Sequence, residues 1–177
     1  MARASKSDIQ VKRTHKQRRA DSDTRILAAA IKLFSQHGYQ KTTLIQIGAE
    51  AGYTGTLISN RFGSKEQLLR AVLAHILRRF EENENANQRP GLSATEQLRS
   101  FITEYLHDAV SQESRIRALY VIMGEALGSI TGIEDEIIKV NRVFRAHVEQ
   151  FVAEGVETGE FLPDLDPEME AVIIVGE

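Results

Sequence analysis

The sequence contains no cysteine and no tryptophan, and only three prolines among its 177 residues. Without cysteine the chain cannot form a disulfide or a thiolate metal site, which is compatible with the reducing cytoplasm, where we expect the protein. The scarcity of proline, beside abundant Ala, Leu, Ile, Glu and Arg, favours an all-α fold. No stretch approaches the ~20 apolar residues of a membrane span. The basic N-terminus lacks the apolar core of a secretory signal.

Charge is distributed very unevenly along the chain, although the net charge is only −3. Residues 1–80 hold 15 Lys/Arg and 5 Asp/Glu, whereas residues 81–177 hold 7 and 20. This asymmetry indicates an N-terminal part that binds a polyanion and an acidic body. Charge alone leaves the alternative open that these are two solvated faces of one soluble protein.

The segment Thr42–Phe62 predicts two short helices joined by a tight turn. Thr42 or Thr43 can cap a helix over Leu44–Ala51, and Gly52 suits its C-terminus. Thr54 can cap a second helix that runs to about Arg61. The pattern is typical of a helix-turn-helix. Outward, the second helix offers groups that can meet phosphates and base edges in a major groove, namely Tyr53, Thr54, Gly55, Thr56, Ser59, Asn60 and Arg61.

The remaining chain divides into a tail and further helices. Residues 1–20 carry seven basic residues and one acid, which predicts a disordered arm. Arg13, Lys16, Arg18 and Arg19 could reach DNA phosphates, or the arm could be a solvated tail. Apolar periodicity and turn signals predict helices over about Asp23–His37, Lys65–Glu84, Ala94–Ser111, Glu113–Ser129, Ile133–Gly155 and from Pro167 onward, with a polar break at Asn83–Ser93. The last residues have no stop signal, so we expect the chain to end within a helix, as if a final helix were missing.

The run from Thr24 to Val72 resembles the DNA-binding domain of tetracycline-repressor-type (TetR) regulators. The resemblance rests on a first helix with the pattern IL-AA--LF---GY, the pair Thr42-Thr43, Ile47 before Ala51-Gly52, and Phe62 followed by Gly63-Ser64-Lys65-Glu66 and Leu68-Leu69. It implies a homodimeric repressor that binds a palindromic operator and is released by a small-molecule inducer. It also implies that Thr43 and Lys65 contact phosphates and that Tyr53–Arg61 is the recognition segment.

Two residues depart from the family pattern, and both lie in the recognition segment. Gly55 stands where Lys or Arg is common, and Thr56 stands where glycine is common. The side chain of Thr56 could replace the close backbone contact or push the helix outward. Asn60 and Arg61 are then the best candidates to read bases, since Asn pairs with adenine and Arg with guanine. Arg61 could instead contact only phosphate, and Tyr53 could be a packing residue.

Evidence for catalysis or for a metal is weak. Glu104 and His107 form one E-x-x-H pair, but a di-iron bundle needs a second pair and two more glutamates. There is no P-loop, Rossmann glycine pattern, nucleophile elbow or zinc-hydrolase motif. We therefore expect no enzyme, no cofactor and no metal. An inducer pocket could be lined by Tyr105, Tyr120, Met123 and Phe144, with Phe101 and Phe151 as further candidates, although a core role is the simpler interpretation of each.

Together these patterns predict an all-α protein in three parts. A basic arm spans residues 1–20, a helix-turn-helix DNA-binding domain spans 21–64, and a helical effector-binding and dimerisation domain spans 65–177. The expected partners are double-stranded DNA, a second copy of the chain and an unknown small molecule, with no membrane. The competing hypotheses are a helical interaction module that does not read DNA, and a metal-containing bundle enzyme.

Overall fold

A computed structural model of the chain describes residues 14–87, 91–111, 115–128, 130 and 132–175, with only the backbone for 83–87. These residues form eight helices and no strand, which confirms the all-α fold. The helices are α1 (His15–His37), α2 (Leu44–Ala51), α3 (Gly55–Phe62), α4 (Lys65–Asn87), α5 (Ala94–Val110), α6 (Arg115–Ala126), α7 (Glu134–Glu157) and α8 (Pro167–Val175). No helix among them is both long and apolar enough to cross a membrane.

The expectation of a disordered arm through residue 20 is wrong for residues 15–20, because α1 begins at His15. Thr14 caps this helix with a reciprocal capping box: the Gln17 amide donates to Thr14 Oγ1 at 3.2 Å, and the Thr14 amide donates to Gln17 Oε1 at 2.8 Å. The two bonds satisfy amides that a helix N-terminus otherwise leaves unpaired. Residues 1–13 of the predicted arm lie outside the described residues, as do residues 88–90 of the predicted break and the last two residues.

The helices share one hydrophobic core that runs through the whole fold. In the N-terminal part Ile26, Phe34, Ile47 and Ile58 are fully buried, at the crossing of α1, α2 and α3. Helix α4 extends this core along its length with an apolar stripe at i, i+3, i+4 spacing, made of Leu68, Leu69, Val72, Leu73 and Ile76. The core therefore joins the predicted DNA-binding domain to the body without a break.

The body packs around α7, which contacts α4, α5 and α8. Val140, Phe144, Val148 and Val152 form its buried stripe. Helix α6 packs between α5 and α1. Because α6 touches both the body and the N-terminal helices, it is a direct physical link between them.

Candidate nucleic-acid interface

The caps of α2 and α3 fix the turn between them. Thr43 accepts from the Gln46 amide at 3.2 Å, and Gln46 Oε1 accepts from the Thr43 amide at 2.8 Å. Gly52 ends α2 in the left-handed region at φ +77°. This conformation is sterically unfavourable for residues with a Cβ but not for glycine. Thr54 Oγ1 then accepts from the Leu57 amide at 3.2 Å and caps α3. The predicted bounds of α2 and the start of α3 are confirmed.

Two glycines lie where α3 packs against α2. A Cβ on Gly48 would lie 2.8 Å from the Tyr53 carbonyl oxygen and 2.9 Å from the Gly55 nitrogen. A Cβ on Gly55 would lie 3.2 Å from the Cα of Ile45. A side chain at Gly55 would therefore make a tight contact with Ile45, which one of the two helices would relieve by a shift of a few tenths of an ångström.

The polar residues of α3 and its flanks divide into an exposed and a partly covered set. Thr43, Thr54, Thr56 and Asn60 are exposed, whereas Tyr53, Gly55, Ser59, Arg61 and Lys65 are partly buried. Ile45, on the first turn of α2 beside Gly55, is 76% exposed. Helical periodicity could have identified this exposed residue, because Ile45 lies outside the apolar stripe formed by Leu44, Ile47 and Ala51.

Tyr53 is held at the turn rather than presented as a free side chain. It packs against the core, and the Arg25 guanidinium lies 5.6 Å from its ring centroid. A cation at this distance from a tyrosine ring face is attracted by the ring quadrupole. This geometry agrees with the packing alternative for Tyr53.

Arg61 is expected from the sequence to read a base, but its guanidinium binds two side chains within the domain. Nη1 lies 3.0 Å from Asp23 Oδ1 and donates a hydrogen bond to Ser22 Oγ. The Arg61 side chain is only 18% exposed. The residue ties the end of α3 to α1, a contact that local sequence patterns cannot reveal because the partners are 39 positions apart.

Lys65 is likewise bound to a neighbouring loop. Its Nζ donates to the Gln40 carbonyl oxygen at 3.2 Å and lies 4.2 Å from the Tyr39 ring centroid. Burial lowers the pKa of Lys65, against the opposing effect of Glu125. Burial also raises the pKa of Tyr39, together with the charges of Glu66 and Glu125. Lys65 therefore positions the loop that leads to Thr43.

Helix α6 reaches the same loop from the side of the body. Glu125 Oε2 accepts from the Gln40 amide at 3.0 Å, and Arg117 Nε donates to the Ser35 carbonyl oxygen at 3.2 Å. Gly38 has φ +82°, and a Cβ there would collide with the Glu125 carboxylate. The end of α1 and the entry to α2 are thus fixed by residues of the body.

A cavity of about 400 Å³ opens in the body between α4, α5 and α6. Its lining combines apolar and aromatic side chains with charged and polar ones, namely Ile76, Phe80, Phe101, Thr103, Glu104, Tyr105, His107, Asp108, Arg115 and Ile116. Such a mixture is typical of small-molecule sites. Because α6 supplies Arg115 and Ile116 here and Glu125 at the Gln40 loop, one helix touches both places.

Of the four residues predicted for an inducer pocket, Tyr105 lines this cavity. Tyr120 is next to it, with its hydroxyl 2.6 Å from the Tyr105 hydroxyl, and burial raises the pKa of Tyr105. Phe144 is buried and stacks on Phe80 at 4.1 Å between centroids, and Met123 packs against the core. Sequence patterns do not identify Phe80 as a cavity residue, because its position depends on how α4 packs against α7, where it stacks on Phe144. In the described part of the chain no group of three His, Asp or Glu side chains could hold a metal ion.

Both halves of the chain match family models of tetracycline-repressor-type regulators. Residues 26–72 match the family "Bacterial regulatory proteins, tetR family", and residues 91–177 match "Tetracyclin repressor-like, C-terminal domain". The regulator HbdR of Aromatoleum sp. (strain CIB) is 42% identical over 57 residues, which cover 32% of this chain and 25% of HbdR. The uncharacterized regulator YhgD of Bacillus subtilis is 23% identical over 150 residues, which cover 85% of this chain and 76% of YhgD. The chain thus spans only about a quarter of the length of HbdR.

Solved structures have the same fold. A TetR-family regulator from Rhodococcus sp. superposes with a TM-score of 0.75 at 20% identity, covering 88% of this chain and 85% of that one. FadR of Bacillus subtilis, in complex with stearoyl-CoA, gives 0.71 at 21% identity, covering 86% and 81%. A TetR/AcrR-family regulator from Thermobifida fusca gives 0.62 at 28% identity, covering 88% and 81%. The helix-turn-helix geometry and the two matching domains show that the chain is a transcriptional regulator of the TetR family with a DNA-binding helix-turn-helix.

Proposed function

We propose that this regulator is a repressor that binds a palindromic operator as a homodimer and leaves it when a small molecule enters the body. The observation that carries the proposal is the exposed polar face of α3, which lies close against α2 at Gly48 and Gly55. A polar helix face that the fold holds rigid and leaves uncovered has the chemistry needed to read a major groove. We further propose that the regulator acts in the cytoplasm and without catalysis.

The proposed DNA contacts fall into two groups. Thr56 and Asn60 face outward and would meet base edges, with Asn60 suited to adenine. Exposed Ile45 would meet a thymine methyl group. Thr43, Thr54, Ser59 and the backbone of Gly55 would bind phosphates or sugars. Tyr53, Arg61 and Lys65 would act mainly by holding α3 and the Gln40 loop in position, with Arg61 and Lys65 adding positive charge at the edge of the interface.

A dimer is supported by the outer face of α8. Met169 and Ile173, one turn apart, are 57% and 66% exposed, while Ala171 between them is buried. Exposed apolar side chains at helical spacing favour burial against another helix. We propose that α8 contributes to the homodimer interface. Met169→Glu with Ile173→Glu should convert a dimer to a monomer in light scattering; an unchanged mass would place the interface elsewhere.

The proposed effector site is the cavity between α4, α5 and α6. Its aromatic wall suits an apolar group, and the ligand of the FadR relative, stearoyl-CoA, contains a long apolar chain. Thr103→Trp, at the exposed edge of the cavity, would fill it with little effect on the core. A screen of compounds against the DNA complex should then yield molecules that release the wild type and not the variant. If every such compound releases both proteins equally, the effector binds elsewhere.

The operator proposal is tested by selecting bound fragments from random duplex DNA at near-physiological salt. Enrichment of a palindrome supports a dimeric sequence reader. Enrichment of single half-sites without symmetry contradicts the dimer but supports base reading. If a folded protein enriches nothing, the proposal fails and an interaction module becomes the better hypothesis.

A further inference from the structure

The first two turns of α1 have a charge pattern that is unfavourable for an isolated helix. His15, Lys16, Arg18 and Arg19 follow the Thr14 cap, and the first turn contains no acid. A helix N-terminus carries a partial positive charge, so cations there are repelled rather than attracted. A local rule broken in this way usually has a functional reason.

These basic residues line one open hollow, together with one residue from another helix. The hollow has a volume of about 580 Å³ and is lined by His15, Lys16, Arg18, Arg19 and Arg61. Lys16, Arg18 and Arg19 are exposed on α1. A surface lined by clustered basic side chains attracts a polyanion.

Arg61 fixes this hollow relative to the recognition helix. Its ion pair with Asp23 and its bond to Ser22 clamp the last turn of α3 against α1. The pair also neutralises Asp23, one of two acids in this stretch; the other, Asp21, is exposed and does not line the hollow. The basic surface is therefore continuous with α3 and moves with it.

We infer that the first two turns of α1, which Arg61 holds against α3, form a second DNA contact that binds phosphates beside the base pairs that α3 reads. This inference rests on the proposed DNA binding. The chain matches the TetR DNA-binding domain only from residue 26, so these turns are additional to the matched region. Arginine and lysine bind phosphate without regard to sequence. Each neutralised phosphate makes the slope of log K against log salt concentration steeper by about 0.9. The contact supplies affinity and no base preference.

The test compares K16A/R18A/R19A with R99A/K139A/R142A, which removes one lysine and two arginines from exposed positions on α5 and α7. Alanine is the best helix former, so both variants should keep their helices, which circular dichroism checks. Binding of each protein to the selected operator is measured from 50 to 200 mM salt. Because the α1 variant would leave three phosphates without a cation, the wild type should lose about 40-fold more affinity over this range than that variant. The control should follow the wild type.

The salt slope and the base preference of the α1 variant decide whether the inference holds. An α1 variant with the wild-type salt slope overturns it, even though the wild type binds its operator. A variant whose loss of affinity differs between operator sequences also overturns it, because phosphate contacts are blind to sequence. A reduced slope with unchanged base preference supports it. If the wild type itself shows no salt-dependent duplex binding, the proposed function fails before this question arises.

Discussion

Glu125 on α6 accepts a hydrogen bond from the Gln40 amide at 3.0 Å. This bond connects the body to the loop that precedes α2. The two residues are 85 positions apart. The Gln40 carbonyl accepts from Lys65, so both sides of one peptide segment are held. This loop leads directly to the Thr43 cap of α2, and its position therefore affects the orientation of the helix-turn-helix.

Removing the Glu125 carboxylate should weaken this link. We expect Glu125→Ala to lower the free energy of unfolding by about 1 kcal/mol, because a hydrogen bond to a charged acceptor is removed. Exposed Glu149→Ala on α7 is the control and should change it by less than about 0.5 kcal/mol. Urea unfolding measures both. Equal effects of the two substitutions would show that the contact does not contribute to stability.

Gly48 and Gly124 should respond to alanine in opposite ways, although both lie within helices. At Gly48 the new Cβ would meet backbone atoms of Tyr53 and Gly55, so the variant should be destabilised by ~1–3 kcal/mol. At Gly124 nothing lies within 4 Å, so alanine should stabilise α6 by up to about 1 kcal/mol. Thermal unfolding of the two variants gives the signs. A stabilised Gly48→Ala protein would show that α3 does not need its close approach to α2.

Arg61→Ala should weaken DNA binding without changing which bases are preferred. The guanidinium is held by Asp23 and Ser22, so its removal loosens α3 against α1 and leaves Asp23 unpaired. We expect a stability loss of about 1–2 kcal/mol, since the pair is only partly buried. The Asp23→Ala/Arg61→Ala protein should lose less than the sum of the single variants. Relaxed preference at one base of each half-site would instead support the base-reading role expected from the sequence.

The free energy of unfolding should decrease when the pH is lowered and His75 becomes protonated. Burial lowers the pKa of His75, and the neighbouring Arg78, Arg79 and Arg115 lower it further, while Glu82 opposes them. The unfolded chain then binds more protons than the folded one, so the contribution is complete above about pH 6.5 and is lost below it. Protonation would also remove the 3.0 Å contact in which Nδ1 accepts from Arg78.

Urea midpoints at pH 5.5 and 7.5 measure this effect in the wild type, in His75→Gln and in the control His107→Gln. His75→Gln should show the smaller difference between the two pH values. The control should retain the wild-type difference, because His107 is exposed. If the three proteins change equally with pH, another group accounts for the dependence.

Much of the fold could be predicted because its helices have local start and stop signals. Thr43 and Gly52 mark α2 and Pro167 marks α8, so the predicted ends agree with the structure there. The T-x-x-Q box at Thr14 is an equally local signal, but the dense basic charge of residues 1–20 favours a disordered arm. The first turns of α1 show how a capping box can begin a helix before its buried stripe does.

The site was harder to predict than the fold because its side chains depend on distant partners. Asp23 holds Arg61 and Gln40 holds Lys65, and nothing near Arg61 or Lys65 in the sequence indicates this. The same holds for the cavity, where tertiary packing brings Phe80 of α4 and Ile116 of α6 to one lining. Local patterns could identify the exposed polar face of α3, which needs no partner within the chain.

The role of that face is tested most directly by measuring how Asn60→Ala binds the selected operator and every single-base variant of its half-site at one salt concentration. If Asn60 reads a base, the variant should lose ~1–3 kcal/mol of discrimination at one position of each half-site and keep its preferences elsewhere. Equal weakening on all duplexes would contradict base reading by α3 at Asn60 and would assign its sequence preference to other residues.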